Sequence, residues 1–343
     1  MTCFVIAEAG VNHNGSLERA SRLIDVAVAA GANAVKFQTF RTDLLVSRGA
    51  KKAHYQADRT GEGDQFSMLR QLELSPEAHG LLLDHCREVG IEFMSTPFDE
   101  QSADFLAQLG VRRIKVSSGE LTNHRLLKHI SRLAKPMIVS TGMATLEEVA
   151  GAVDVIRENL MQGGNTRPLS EMLTLLHCTS NYPTRMEDVN LRAMHTLTER
   201  FRLPVGYSDH TPGILVPPVA VALGAVIVEK HFTLDRSLPG PDHAASLEPA
   251  ELTQMIRAIR AIEQALGDGI KIPVAREYEV RNVARRSVIL ARAVSAGDAL
   301  VATDLALLRP AGGIPPQDID RVVGRVVRAA FPKGHALRWG DLL

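Results

Sequence analysis

An excess of either charge is missing from this sequence: 39 Lys and Arg stand against 39 Asp and Glu. Nothing in that balance draws the chain to nucleic acid or to an anionic membrane. Long apolar runs are also missing, and none approaches the roughly 18 residues that a spanning helix needs. Met1-Thr2-Cys3-Phe4-Val5-Ile6 leads straight into a strand-like run, so neither a transmembrane segment nor a secretory signal is expected. Cysteine is scarce, and Cys3, Cys86 and Cys178 are too few and too irregularly spaced for a disulfide framework or a structural zinc site. Internal repeats and low-complexity tracts are absent as well. The expectation is a soluble cytoplasmic protein with neither nucleic acid nor membrane as partner.

What is present is 343 residues, 45% of them apolar, ample for a large core and too long for one small domain. Short β-branched runs alternate with helix-length segments. The candidate strands are Phe4–Ala9, Val35–Phe40, Glu92–Pro97, Ile114–Ser118, Met137–Thr141, Leu173–Thr179, Val205–His210 and Val226–Phe232, each bounded by Gly, Pro or polar residues. Between them, Leu17–Ala30 carries apolar residues at helical spacing, with Ser16 as N-cap and Gly31 as stop. Ser75-Pro76-Glu77 opens another helix, Thr145 with Glu148 reads as a capping box, and Ala250–Leu266 is the last periodic segment. Eight such units in about 265 residues match a (β/α)8 TIM barrel. A doubly wound sheet would place a dinucleotide loop after its first strand, and Gly10-Val11-Asn12-His13-Asn14-Gly15 is not that fingerprint.

The alternation ends near Gly267. Residues 268–285 are charged without apolar period and read as a linker. Residues 286–343 read as a small β-rich domain, with strands Ser287–Arg292 and Val322–Val327 and a Pro/Gly-rich stretch Pro310–Pro316. So small a module buries only a thin core alone and is expected to dock on something.

The strand C-termini carry the unusual residues. Val35 and Phe37 suit the helix-facing side, which sends Lys36 and Gln38 into the barrel, and the same parity turns Lys115 inward. Two lysines inside one barrel need compensation, either by a bound phosphate-bearing dianion or by buried carboxylates such as Glu8 and Glu120. Hydroxyls recur at the same ends, in Ser95-Thr96, Ser117-Ser118-Gly119, Ser140-Thr141-Gly142 and Ser208. They form either a ring of donors for phosphate or carboxylate oxygens or a set of ordinary helix caps. His210 and His231 end the seventh and eighth strands, which would lie about 4.8 Å apart. Two inward imidazoles can share a divalent ion and leave positions open for water and substrate. Most other histidines (His54, His79, His129, His195) read as core or surface residues, and His13 and His177 remain open. Glu8, Glu120, Glu229 and Asp242 are candidate bases, orienters or hydroxyl acceptors. Cys178 lacks an identifiable base and reads as a small buried hydrophobe.

Together these segments resemble the sialic acid (nonulosonate) synthases. The resemblance rests on Ile6-Ala7-Glu8-Ala9-Gly10, Asn12-His13-Asn14-Gly15, Lys36-Phe37-Gln38, Ser95-Thr96-Pro97-Phe98, Lys115-Val116-Ser117-Ser118-Gly119-Glu120 and Ser140-Thr141-Gly142-Met143. It continues through His177-Cys178-Thr179, Tyr182-Pro183-Thr184, Gly206-Tyr207-Ser208-Asp209-His210-Thr211, Glu229-Lys230-His231-Phe232-Thr233 and Pro239-Gly240-Pro241-Asp242. Arg309-Pro310-Ala311-Gly312-Gly313-Ile314 is similar to that family's antifreeze-like (SAF) domain.

The resemblance implies condensation of phosphoenolpyruvate with an N-acetylated amino sugar, forming a nine-carbon 2-keto acid with release of phosphate. Lys36, Thr96, Lys115, Ser118, Ser140 and Ser208 would hold phosphoenolpyruvate. His210 and His231 would bind Mn²⁺, with Mg²⁺ or Co²⁺ as alternatives. Gln38, Glu120, Tyr182 and Asp242 would contact the sugar, with Arg309 reaching it from the other chain of a domain-swapped homodimer. Glu8 or Glu229 would handle the attacking water. Ser180 stands where the neuraminate-forming branch tends to have Asn, and Asn14 where Glu or Gln is common there. Both departures, with the Lys36–Phe40 run, look more like the legionaminic acid synthases, whose acceptor is a 2,4-diacetamido-trideoxymannose in place of N-acetylmannosamine. The contacts that choose between them are expected in the Arg41–Leu74 loop and near Asn181. A metal-dependent pyruvate aldolase on the same barrel and a silent sugar-binding protein are the competing readings.

Overall fold

The computed structural model describes residues 2–343, without the side chains of His54, Tyr55 and Asp58; the expectation for His54 lies outside what is described. The chain divides into two compact units, Met1–Gly267 and Asp268–Leu343. Among the described residues, no helix is long and apolar enough to cross a membrane.

The first unit holds eight parallel strands: β1 (Phe4–Gly10), β2 (Ala34–Thr39), β3 (Glu92–Pro97), β4 (Ile114–Val116), β5 (Met137–Ser140), β6 (Leu173–Cys178), β7 (Val205–Asp209) and β8 (Ile227–His231). Their hydrogen-bonded order is β3-β2-β1-β8-β7-β6-β5-β4. β3 and β4, at the ends of that order, lie side by side and close the barrel. Arg113, just before β4, ties the seam by a two-pronged bond to Glu92 at the start of β3, at 2.8 and 3.2 Å. The doubly wound alternative is thereby excluded.

Local signals set the helices. Ser16 accepts from the Arg19 amide, and Gly31 ends the helix Leu17–Ala30 at φ 84°, a left-handed conformation that glycine adopts without cost. Ser75 caps Pro76–Val89, and Thr145 and Glu148 form the reciprocal capping box on Leu146–Gln162. Alternation along each strand sends one set of side chains to the helix layer and the other inward. Ile6, Ala34, Met94, Ile138, Leu176 and Ile227 form an apolar plug in the barrel's lower half. The next inward position on these strands, one pleat higher, is polar: Glu8, Lys36, Thr96, Ser140 and Glu229, with Cys178 among them.

Three expectations are corrected. Ile114–Ser118 is a strand only to Val116, because Ser118–Glu120 winds into a 3-10 turn. The Arg41–Leu74 segment is no plain loop but carries short helices at Thr42–Leu45, His54–Thr60 and Gln65–Arg70. In the second unit, Val322–Val327 is not a strand. A helical turn ends at Val322, Gly324 takes φ 84°, and Val326 and Val327 make only isolated bridges. That unit's regular sheet is instead β9 (Ser287–Leu290) paired antiparallel with β10 (Leu305–Leu308). The expected linker contains an exposed helix, Glu277–Ala284.

Candidate active site

The C-terminal ends of the strands surround a cavity of about 470 Å³. Register explains who meets there. Glu8 on β1 is level with Lys36 on β2 on one side and with His231 on β8 on the other. Ser208 on β7 is level with Glu229 on β8 and with Cys178 on β6.

Lys36 and Lys115 both point inward and are buried. Lys36 Nζ lies 2.8 Å from Glu8 Oε2 and 3.8 Å from Glu229 Oε2, and donates to Thr96 Oγ1 at 2.9 Å. Lys115 Nζ lies 3.7 Å from Glu229 Oε1 and donates to Ser140 Oγ at 2.6 Å and to the Val116 carbonyl at 3.0 Å. Two cations thus alternate with two carboxylates. The carboxylate partners are Glu8 and Glu229 rather than Glu8 and Glu120. Glu120 sits on the 3-10 turn after β4, accepts from Asn123 at 2.7 Å and does not line the cavity.

The four charges are not equivalent. Burial is the largest influence on Glu8; Lys36 opposes it, Glu229 adds to it, and the carboxyl is pushed up to about 7. Burial also works on Glu229, but Lys115 and Lys36 with the Ser208 hydrogen bond outweigh it and hold that carboxyl below its usual range. Lys36 is held above the ordinary lysine value because Glu229 and Glu8 overcome its burial. Lys115 is held below it, since burial there exceeds what Glu229 returns. Two carboxyls set apart in this way are suited to different tasks, one exchanging a proton near neutrality and one remaining an anion. Glu8 Oε2 and Glu229 Oε2 are both buried and both face the Lys36 ammonium, at 2.8 and 3.8 Å.

The hydroxyls are tethered to this set. Ser208 Oγ donates to Glu229 Oε1 at 3.1 Å. Ser118 Oγ accepts from the Gly142 amide at 3.0 Å and lies 3.1 Å from Cys178 Sγ. Position 142 must be glycine: a Cβ there would stand 2.8 Å from Cys178 Sγ and 2.9 Å from Ser118 Oγ, and would meet Ser180 Oγ closer still. Thr145, by contrast, is a helix cap. Burial pushes the Cys178 thiol up, which suits a packing role.

His210 and His231 face each other with ring centroids 5.5 Å apart, and the Tyr182 ring lies 4.2 Å from the first and 5.8 Å, edge-on, from the second. His210 Nδ1 sits 2.7 Å from the Thr179 carbonyl, which requires the proton on Nδ1 and leaves Nε2 as an acceptor. His231 Nδ1 is buried without a hydrogen bond, 4.0 Å from Asp242 Oδ2. Burial holds both rings below the ordinary histidine value, most strongly His231, where the neighbouring cations add to it. Neutral imidazoles with one orphaned nitrogen fit a divalent cation. Among the described residues no cluster of three or more His, Cys, Asp or Glu ligands is found, so the pair would leave most coordination positions to substrate and water.

Gln38 and Ser180 line the same cavity. Asp242, on the β8 loop, is pushed up to about 6 by burial. Arg309 belongs to the second unit, where it is exposed. His13 and His177 lie outside the cavity: His13 Nδ1 accepts from the Gly15 amide at 3.0 Å, and His177 Nε2 lies 2.8 Å from the Val189 carbonyl. His79 and His129 are hydrogen-bonded to Thr39 and Asp104, and His195 is exposed.

Sequence reasoning missed three residues at the cavity mouth: Gln65, Phe98 and Met143. Gln65 comes from the Arg41–Leu74 excursion, where no apolar period marks which face turns inward. Met143 is 72% exposed at φ 63°, and its place after Thr141-Gly142 was the one available signal.

Comparison with known proteins decides the family. Residues 23–271 match the NeuB family, and residues 285–343 match the SAF domain. The chain belongs to the NeuB family. Among its NeuB-type relatives, the N,N'-diacetyllegionaminic acid synthase of Legionella pneumophila is 51% identical over 99% of this chain and 94% of that protein. The Campylobacter jejuni protein of the same name is 43% identical over 97% of this chain and 98% of that one. A solved N-acetylneuraminic acid (sialic acid) synthetase from Leptospira borgpetersenii superposes with a TM-score of 0.70 at 35% identity, covering 82% of this NeuB-family chain and 90% of that one.

Proposed function

We propose that this protein is a transferase that condenses phosphoenolpyruvate with an N-acetylated amino sugar, releasing phosphate and forming a nine-carbon 2-keto acid. The observation that carries this reading is the meeting of Lys36 and Lys115, each bonded to a hydroxyl, with a pair of neutral histidines in one cavity. The lysines and the Thr96, Ser118, Ser140 and Ser208 hydroxyls suit a phosphorylated carboxylate. A divalent cation on His210 and His231, Mn²⁺ in our reading and Mg²⁺ or Co²⁺ as alternatives, would polarise the sugar aldehyde. Asp242, Gln38, Ser180 and Tyr182 are the acceptor contacts in this reading.

The two carboxyls divide the remaining work. C3 of phosphoenolpyruvate attacks the aldehyde carbon, and positive character develops at C2. Glu229, held ionised, stabilises that charge. Glu8, poised near neutrality and lining the cavity, takes the proton of the water that adds to C2. The tetrahedral adduct then loses phosphate by C–O cleavage, and Lys36 and Lys115 meet the charge that grows on the leaving group.

The names of the two legionaminate-forming relatives favour 2,4-diacetamido-trideoxymannose as acceptor and legionaminate as product over N-acetylmannosamine and N-acetylneuraminate. The proposal extends to a cytoplasmic, domain-swapped homodimer in which Arg309 of the partner subunit reaches the sugar. The test is phosphate release from phosphoenolpyruvate with Mn²⁺ and each sugar in parallel, with and without EDTA. Acceptor-dependent, EDTA-sensitive release is expected. Product from pyruvate without phosphate would establish an aldolase instead, and no turnover by folded, metal-loaded protein would favour a silent binder.

A further inference from the structure

Asn12-His13-Asn14-Gly15, a conspicuous motif of the sequence, contributes no residue to the catalytic cavity. Its two asparagine side chains turn the other way, to the loop between β8 and the last barrel helix that carries Asp242. Asn12 Nδ2, buried, donates to the Phe232 carbonyl at 2.8 Å and to Ser246 Oγ at 2.9 Å. Ser246 Oγ in turn donates to the Asp242 carbonyl at 2.7 Å. Asn14 Nδ2 donates to the Pro239 carbonyl at 2.7 Å, and its Oδ1 lies 3.1 Å from His243 Nε2. His243 Nδ1 lies 2.6 Å from Thr233 Oγ1.

These bonds fix the direction of the chain. Asn14 spends its amide on Pro239, so Oδ1 must accept, the proton of His243 sits on Nε2, and Nδ1 accepts from Thr233. The loop is therefore held on both sides of Asp242, at Pro239 before it and at His243 and Ser246 after it. The packing is close enough to specify Gly240, whose φ is 152°; a Cβ there would lie 2.7 Å from His243 Cδ2 and 2.9 Å from Asn14 Oδ1. Asn14 itself sits at φ 48°, a left-handed conformation that Asn tolerates better than most residues.

We propose that the Asn12–Gly15 turn is a clamp that sets the position of Asp242 beside His231 at the catalytic cavity, and that Asn14 and Ser246 are positioning residues for the acceptor sugar. Asn14 acts on selectivity through Pro239 and His243 without touching the sugar. A side chain at position 14 that lacks an amide donor cannot bond the Pro239 carbonyl, so the loop carrying Asp242 would have to sit differently. A carboxylate whose position shifts by even a fraction of a bond length discriminates differently among hydroxyl and acetamido N–H donors. The inference rests on the proposed reading that Asp242 meets the acceptor.

The test uses the full chain and two variants, Asn14→Asp, which keeps the shape and the acceptor but removes the donor, and Ser246→Ala, which cuts the other side of the clamp. KM for each sugar, KM for phosphoenolpyruvate, kcat and thermal midpoint are measured for all three proteins. Expected for each variant is a rise of about tenfold in acceptor KM, from the loss of the Asn14–Pro239 bond in one and of the two Ser246 side-chain bonds in the other, with phosphoenolpyruvate KM within twofold and an altered ratio of kcat/KM between the two sugars. An active wild type whose folded variants match it in acceptor KM, or raise both KM values equally, overturns the inference alone. A wild type inactive with both sugars overturns the proposed function and the inference with it. Should Asn14→Asp fail to fold, Ser246→Ala decides.

Discussion

Replacing Lys115 by Met tests whether the inner lysines act on the reaction or only hold a substrate. The side chain is 2% exposed, and Met nearly preserves its length while removing the charge and the donors. Lys115 Nζ makes a charge-assisted bond to Ser140 at 2.6 Å. A unit charge about 4 Å away at an effective dielectric of about 20 is worth roughly 4 kcal/mol. A phosphate oxygen in contact with Nζ gains a share of that as its charge grows during C–O cleavage, and a preorganised donor to a developing oxyanion is worth about 3–4 kcal/mol. The expected result is therefore a fall in kcat of roughly 10²–10³-fold at saturating phosphoenolpyruvate and acceptor, alongside a raised phosphoenolpyruvate KM. The assay is continuous phosphate release, with circular dichroism to show that the variant is folded. The bond also holds Ser140, so Ser140→Ala is the control and should cost less. A Lys115→Met enzyme with unchanged kcat and only a higher KM would show uniform binding, and the role in the transition state would have to be abandoned.

Two further outcomes are expected. Lys230 and Asp209 form a fully buried ion pair at 2.6 Å on the helix-facing side of β7 and β8, with Tyr207 and Thr211 completing the bonds to Asp209. Lys230→Met strands that carboxylate and should cost roughly 3–5 kcal/mol, while Asp209→Asn/Lys230→Met should recover much of the loss; additive effects in urea unfolding would contradict the pairing. His13 is buried and neutral, lowered to about 3 by its burial and by the nearby charges of His79, Arg19 and His243. The unfolded chain protonates this group near 6.5, so its contribution is complete above that pH and is lost as pH falls toward 3. Glu8 and Asp242, raised by burial, act in the opposite sense, so the comparison must be with His13→Asn. The stability advantage of the wild type over that variant should shrink by about 2 kcal/mol between pH 7.5 and 5, and a constant difference would refute the buried neutral histidine.

Local rules were legible wherever neighbours in sequence decide the outcome. Strand parity turned Lys36, Gln38 and Lys115 inward, and caps at Ser16, Ser75 and Thr145 placed helix starts, because alternation and capping depend on a few adjacent residues. The same rules failed at Val322–Val327, where Gly324 in a left-handed conformation breaks an apolar run that composition alone presents as a strand. The Arg41–Leu74 helices and the inward turn of Gln65 had no periodic signal to announce them.

By itself, then, the sequence determined eight alternating units, the inward direction of the lysines and histidines, and a separate C-terminal module. Only the tertiary structure decided which charges meet. Closure sets β8 against β1, which brings Glu229 and His231 beside Glu8 although more than two hundred residues separate them. That juxtaposition, and the desolvation it imposes, drives the Glu8 and Glu229 carboxyls in opposite directions. The same closure carries Asn12 and Asn14 onto the Asp242 loop. Such partners are chosen by the geometry of the closed barrel, and no spacing along the chain encodes them.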